Sequence, residues 1–107
     1  MTDQISPGQL AAARTAAEQL RGEAGLEWLQ FVRDDDLVTL MRLAARADLR
    51  DATSLGGDDR TAFCAIIARV VELLRRETAG VHVPHLQGLA DGLELRAKML
   101  GWRRGEA

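Results

Sequence analysis

Apolar residues recur at helical spacing along this chain, and the pattern predicts an all-α fold of about five helices. The first is expected to begin at Pro7. Ser6 is a good N-cap, Pro7 suits the first helical position, and Gln9 completes the spacing of a capping box. The run from Gly8 to Leu20 is Ala-rich, and its only large apolar residues are Leu10 and Leu20. Ala13, Ala16 and Ala17 lie between them, so this helix is either mobile or packed closely through its alanines. Gly22 and Gly25 break the pattern, and a short helix over 26–33 follows, with Leu26, Trp28, Leu29, Phe31 and Val32 plugged into the core. Asp34, Asp35 and Asp36 are expected to precede and cap a helix over Leu37–Ala47 and to complement its dipole. Leu37, Leu40, Met41 and Ala44 share one face of it, while Arg42, Arg46 and Arg50 recur every four residues on the other.

Residues 48–57 read as the clearest loop. Asp58 or Asp59 is expected to cap the strongest helix, which runs to Ala79. Phe63, Ile66, Ile67, Val70, Leu73 and Leu74 fill one broad stripe, and the spacing 63, 67, 70, 74 alternates four and three as in a coiled-coil seam. Gly80 terminates it, and Val81 to Pro84 make a link short enough to turn the next helix back antiparallel. The final helix is expected over His85–Leu100. Leu86, Ala90, Leu93, Ala97 and Leu100 repeat the alternation, and a second seam runs beside it through Gly88, Gly92, Leu95 and Met99. A glycine inside a helix costs about 1 kcal/mol relative to Ala. Gly88 and Gly92 therefore mark either a close packing partner or a loose surface that tolerates them. The expected organisation is short N-terminal helices over 1–57, an antiparallel helical-hairpin core over 58–101 and a tail over 102–107. The hairpin carries more apolar seam than two helices bury on each other. The N-terminal helices are expected to cover some of it, leaving the rest for a second copy. Phe63, Ile67, Val70, Leu74, Gly88, Gly92, Leu95 and Met99 are the candidate interface residues.

Composition narrows the picture. Hydrophobic residues make up 47% of the chain, too many for a disordered polymer. Aromatics are only 4%, so the core has to be aliphatic. The net charge of -2 lacks the basic balance of a non-specific nucleic-acid binder, so any DNA contact has to come from a local patch. The cations are arginines apart from Lys98, which reflects either phosphate contacts or GC-rich codon usage. A single cysteine, Cys64 in an apolar run, excludes an internal disulfide framework and a cysteine-based zinc site. The N-terminus has Asp3 and no long apolar run, so a cytoplasmic location without a signal peptide is expected. No stretch has the length of a membrane span.

Catalytic chemistry finds no foothold, and no enzyme, cofactor or metal site is expected. His82 and His85 have no carboxylate or thiol near them in sequence. The Asp34–Asp36 cluster lacks the spacing of a calcium loop. Gly56-Gly57 precedes a helix without the Lys and Ser/Thr of a phosphate loop. For DNA, the candidates are Arg42, Arg46 and Arg50, the Arg69/Arg76 face, and Arg75. Their alternative role is an ordinary solvated face. The segments 26–33 and 37–47 have the order of a helix-turn-helix, but the acidic turn between them would repel phosphates. Basic contacts without Asn or Gln to read bases would give weak, sequence-tolerant binding to double-stranded DNA, which a ring of copies would strengthen by repetition.

The run Leu93-Glu94-Leu95-Arg96-Ala97-Lys98-Met99-Leu100-Gly101-Trp102 resembles a segment common in phage terminase small subunits, an aliphatic helix with a basic pair ending in Leu-Gly and a bulky apolar residue. The match spans ten of the 107 residues. The resemblance implies a DNA-packaging adaptor whose helical-hairpin core assembles into a ring and hands DNA to the large terminase. This chain is shorter than that pattern and shows no N-terminal DNA-reading domain. It thus resembles a pared-down version, as in phage-like gene transfer agents that package DNA without a cognate site. On that resemblance, Trp102, Arg103 and Arg104 are the candidate contact for the large subunit, unless Trp102 folds back on its own core. The alternative is a small helical regulator that binds another protein around Gly88 and Gly92 and has no role in DNA.

Overall fold

The computed structural model describes residues 6–101. They form four α-helices, α1 (Pro7–Leu20), α2 (Asp34–Ala44), α3 (Gly57–Glu77) and α4 (Pro84–Met99), with a 3-10 turn at Glu27–Phe31. No strand is present among the described residues. The segment expected as a fifth helix over 26–33 is that single 3-10 turn. Its Trp28 is buried, with the indole Nε1 donating to the carbonyl of Gly25 at 3.0 Å. The chain divides into two compact units between Ser54 and Leu55.

In the first unit, α1 begins where its capping box places it. The Gln9 amide donates to Ser6 Oγ at 3.2 Å, and the Ser6 amide donates to Gln9 Oε1 at 3.1 Å. Two of the helix's free amides are thereby satisfied. Of the two alternatives for this helix, close packing is the one realised. Ala13 and Ala17 are buried in one cluster with Leu37 and Val38 of α2, flanked by Leu10, Val32 and Met41. Small side chains on α1 let the α2 aliphatics fill the space between the helices. Arg14 Nη2 donates to Asp34 Oδ2 at 2.6 Å and ties the two helices at the surface.

The acidic triplet corrects one expectation. Asp34, Asp35 and Asp36 occupy the first turn of α2 itself, and the N-cap is Arg33 with no side-chain cap bond. Their contribution is the attraction between carboxylates and the helix's positive end, not capping. The helix also stops at Ala44 instead of Ala47. Beyond it, the amides of Asp51 and Ala52 donate to the Asp48 carbonyl, closing a turn that buries Leu49 and Ala52.

In the second unit, α3 likewise starts earlier than expected. Gly56 is the N-cap, and Asp58 and Asp59 lie in the first turn. Arg60 Nε donates to the Leu55 carbonyl at 2.9 Å, which ties the start of this unit to its first helix. Thr78 is the one buried polar residue among the described residues, and its hydroxyl donates to the Leu74 carbonyl at 2.8 Å. Gly80 follows with φ 75, a left-handed conformation that glycine adopts without strain. α3 and α4 pack against each other. Phe63, Ile66, Ile67, Val70 and Leu74 of α3 and Ala90, Leu93 and Ala97 of α4 are buried. Cys64 is buried as well, and desolvation pushes its thiol pKa up, against an opposing influence from the Arg60 charge.

Leu74 is fully buried, so Leu74→Ala is expected to cost about 2–5 kcal/mol. Leu95→Ala on exposed α4 surface is expected to stay within about 0.5 kcal/mol at dilute concentration. Urea denaturation of both variants checks the contrast.

Candidate functional site

The expected interface residues separate into two groups. Phe63, Ile67, Val70 and Leu74 are buried within one copy of the chain. They are core residues, and offering them to a second copy would require opening the fold. That corrects the expectation that the α3 seam is left over. The seam on α4 has the opposite character. Leu95 is 60% exposed and Met99 79% exposed. A Cβ built on Gly88 or Gly92 would have nothing within 4 Å. Among the described residues, therefore, nothing outside the helix's own backbone approaches these glycines closely.

The division follows from helical periodicity. Ala90, Leu93, Ala97 and Leu100 fall on one side of α4 and are buried. Gly88, Gly92, Leu95 and Met99 fall on a separate stripe about two-fifths of a turn away, which α3 does not cover. Exposed large apolar residues are few among the described residues, namely Val81, Leu95 and Met99. Two of the three thus lie on this one stripe. Charged groups flank it. Asp91 Oδ1 accepts from Arg75 Nη2 at 2.7 Å, and Lys98 Nζ lies 3.7 Å from Glu94 Oε2.

The arginine candidates do not form one patch. The stripe expected at Arg42, Arg46 and Arg50 depends on a helix that continues through them, and α2 ends at Ala44. Arg42 lies in its last turn and is exposed. Arg46 and Arg50 lie in the turns beyond it. Arg50 is held by Asp48, with Nε to Oδ1 at 3.1 Å and Nη2 to Oδ2 at 2.9 Å, and Glu23 lies 4.0 Å away. The Asp48 hydrogen bond and charge, with a smaller effect from Glu23, raise its pKa further. This side chain braces a loop. Arg75 is likewise committed, bridging α3 to Asp91 and Glu94 of α4. Arg69 and Arg76 are both exposed on α3, but exposed Glu72 lies between them on the same face.

His82 and His85 are both exposed. Among the described residues, no group of three or more His, Cys, Asp or Glu is placed to hold a metal ion, and no helix is long and apolar enough to cross a membrane. Trp102, Arg103 and Arg104 lie outside the described residues. The residues that sequence reasoning mistook were those whose status depends on a tertiary neighbour, and no local signal separates an α3 seam covered in the fold from an α4 seam left open. Comparison of the chain with known protein families, curated proteins and solved structures finds no match.

The open space at the glycines has a direct consequence. Gly88→Ala and Gly92→Ala are each expected to stabilise the single chain by about 1 kcal/mol, because the helix gains propensity and nothing clashes. Thermal melts at low protein concentration check this, and a loss of stability would mean that the glycines are closely packed in the monomer.

Proposed function

We propose that this chain is a small terminase subunit of a phage or phage-like particle, of the gene-transfer-agent type. In this reading it is an oligomeric, non-catalytic adaptor in the cytoplasm. It binds double-stranded DNA weakly and recruits or regulates the large terminase during packaging. The observation that carries the reading is the uncovered apolar stripe on α4, with Leu95 and Met99 exposed on the same helix that resembles the small-subunit segment. A small chain gains much of its stability by burying such a stripe against another copy. The α3–α4 pair then acts as an antiparallel hairpin core for a ring, with the outer stripe of α4 as one of its assembly surfaces.

DNA contact in this reading falls to the exposed arginines Arg42 and Arg76. Arg50 and Arg75 are engaged by carboxylates within the chain and contribute less. Few cationic contacts per copy and a net charge of -2 mean weak binding by one subunit. Repetition around an assembly raises avidity without any new contact. The tail at Trp102, Arg103 and Arg104 is assigned to the large subunit. A second reading, a helical regulator with no DNA role, draws support from the same ion pairs, since they use arginines for internal bracing.

Native mass measurement combined with gel shift at low salt tests the proposal. Assembly at micromolar concentration is expected, with sequence-independent DNA binding that added salt abolishes. Assembly without any DNA shift favours the regulator, and a strict monomer contradicts self-assembly altogether.

A further inference from the structure

The outer stripe of α4 has an internal symmetry in size. Its first half is two glycines, Gly88 and Gly92, and its second half is two exposed large side chains, Leu95 and Met99. Positions 88 and 99, and positions 92 and 95, are centred on the same point, midway between Leu93 and Glu94. A two-fold axis through that point would bring Met99 of one copy over Gly88 of the other, and Leu95 over Gly92. Each bulky side chain would then enter a gap that the opposite glycine leaves open, and among the described residues no atom lies within 4 Å of a Cβ placed in either gap. A parallel pairing would instead set glycine against glycine and Met99 against Met99. The spacing four, three, four along 88, 92, 95 and 99 is that of a two-stranded seam, in which antiparallel helices interleave unlike positions.

Charge agrees with size. Asp91 and Lys98 lie on one edge of the stripe, both exposed and of opposite sign. Their midpoint falls within one residue of the same axis. Antiparallel pairing would place the Asp91 of each copy near the Lys98 of the other, so that two symmetric contacts of opposite charge flank the seam, shared with the pairs that Asp91 makes with Arg75 and Lys98 with Glu94 in each copy.

We infer that the outer stripe of α4 joins two copies of this chain antiparallel about a two-fold axis between Leu93 and Glu94. The inference rests on the reading of this stripe as an assembly surface and specifies its geometry. Such an interface is self-complementary and closes at two, so a ring that contains it needs a second, different interface and holds an even number of subunits. The sixteen residues of α4 reach only about 24 Å, so a pairing confined to this stripe belongs with small, reversible interfaces below about 1,200 Å².

Cysteine pairing tests the geometry. In a Cys64→Ala background, Gly88→Cys chains are mixed with Met99→Cys chains that carry a size tag, and the mixture is oxidised mildly. Both positions are exposed, so folding is retained. The mixed 88–99 disulfide is expected to exceed either self-disulfide several-fold. In the antiparallel pair, like positions lie about 16 Å apart along the axis, beyond the reach of about 7 Å between Cα atoms that a disulfide spans. Dominant self-disulfides would overturn the antiparallel arrangement. Absence of any cross-link, where native mass still shows assembly of the unsubstituted chain, would overturn this interface and leave self-assembly standing. A unsubstituted chain that is monomeric would overturn both.

Discussion

Two apolar faces on one helix set the terms for this molecule. α4 has a buried face through Ala90, Leu93, Ala97 and Leu100 and an open stripe through Gly88, Gly92, Leu95 and Met99. Its packing partner within the second unit is α3. Exposing aliphatic surface costs roughly 25 cal/mol per Å² relative to burying it, so an uncovered stripe favours association wherever a complementary surface exists. The glycines reinforce the point. They weaken the isolated helix and serve no close approach inside the chain, so their use has to lie outside it or be absent.

The rest of the chain buries its apolar groups more economically. In the first unit, alanines of α1 meet Leu37 and Val38 of α2, and the Trp28 indole is satisfied by a local carbonyl. The charges largely answer one another. Arg14 meets Asp34, Arg50 meets Asp48, and Arg75 meets Asp91. Exposed pairs of this kind contribute at most about 1 kcal/mol each, so they position turns and helices more than they stabilise them. They also reduce the number of arginines available to phosphate, which is why the proposed DNA contact depends on several copies acting together.

How much of this was legible in the sequence depended on how far each determinant reaches. The capping box at Ser6 and Gln9 was readable because all its groups lie within one turn. The end of α3 is less so: Gly80 takes the left-handed conformation expected of it, but the helix stops at Glu77 with Thr78 as its C-cap, two residues short of the expected Ala79. Asp34 to Asp36 mark a helix start, but the helix is expected three residues later than it begins, since acids suit both the cap and the first turn. The arginine stripe failed because nothing local showed that α2 ends at Ala44. The α3 seam at Phe63, Ile67, Val70 and Leu74 was correctly read as apolar, yet its cover comes from tertiary packing that periodicity does not encode. The second α4 seam looked the same on paper and proved open.

The central claim is that the Leu95–Met99 stripe is a surface through which copies associate, and sedimentation of the unsubstituted chain beside a Leu95→Arg/Met99→Arg double variant tests it most directly. Concentration-dependent association of the first and a monomer of unchanged helix content for the second are expected. Association that persists unaltered in the double variant, or none in either protein, would contradict that claim.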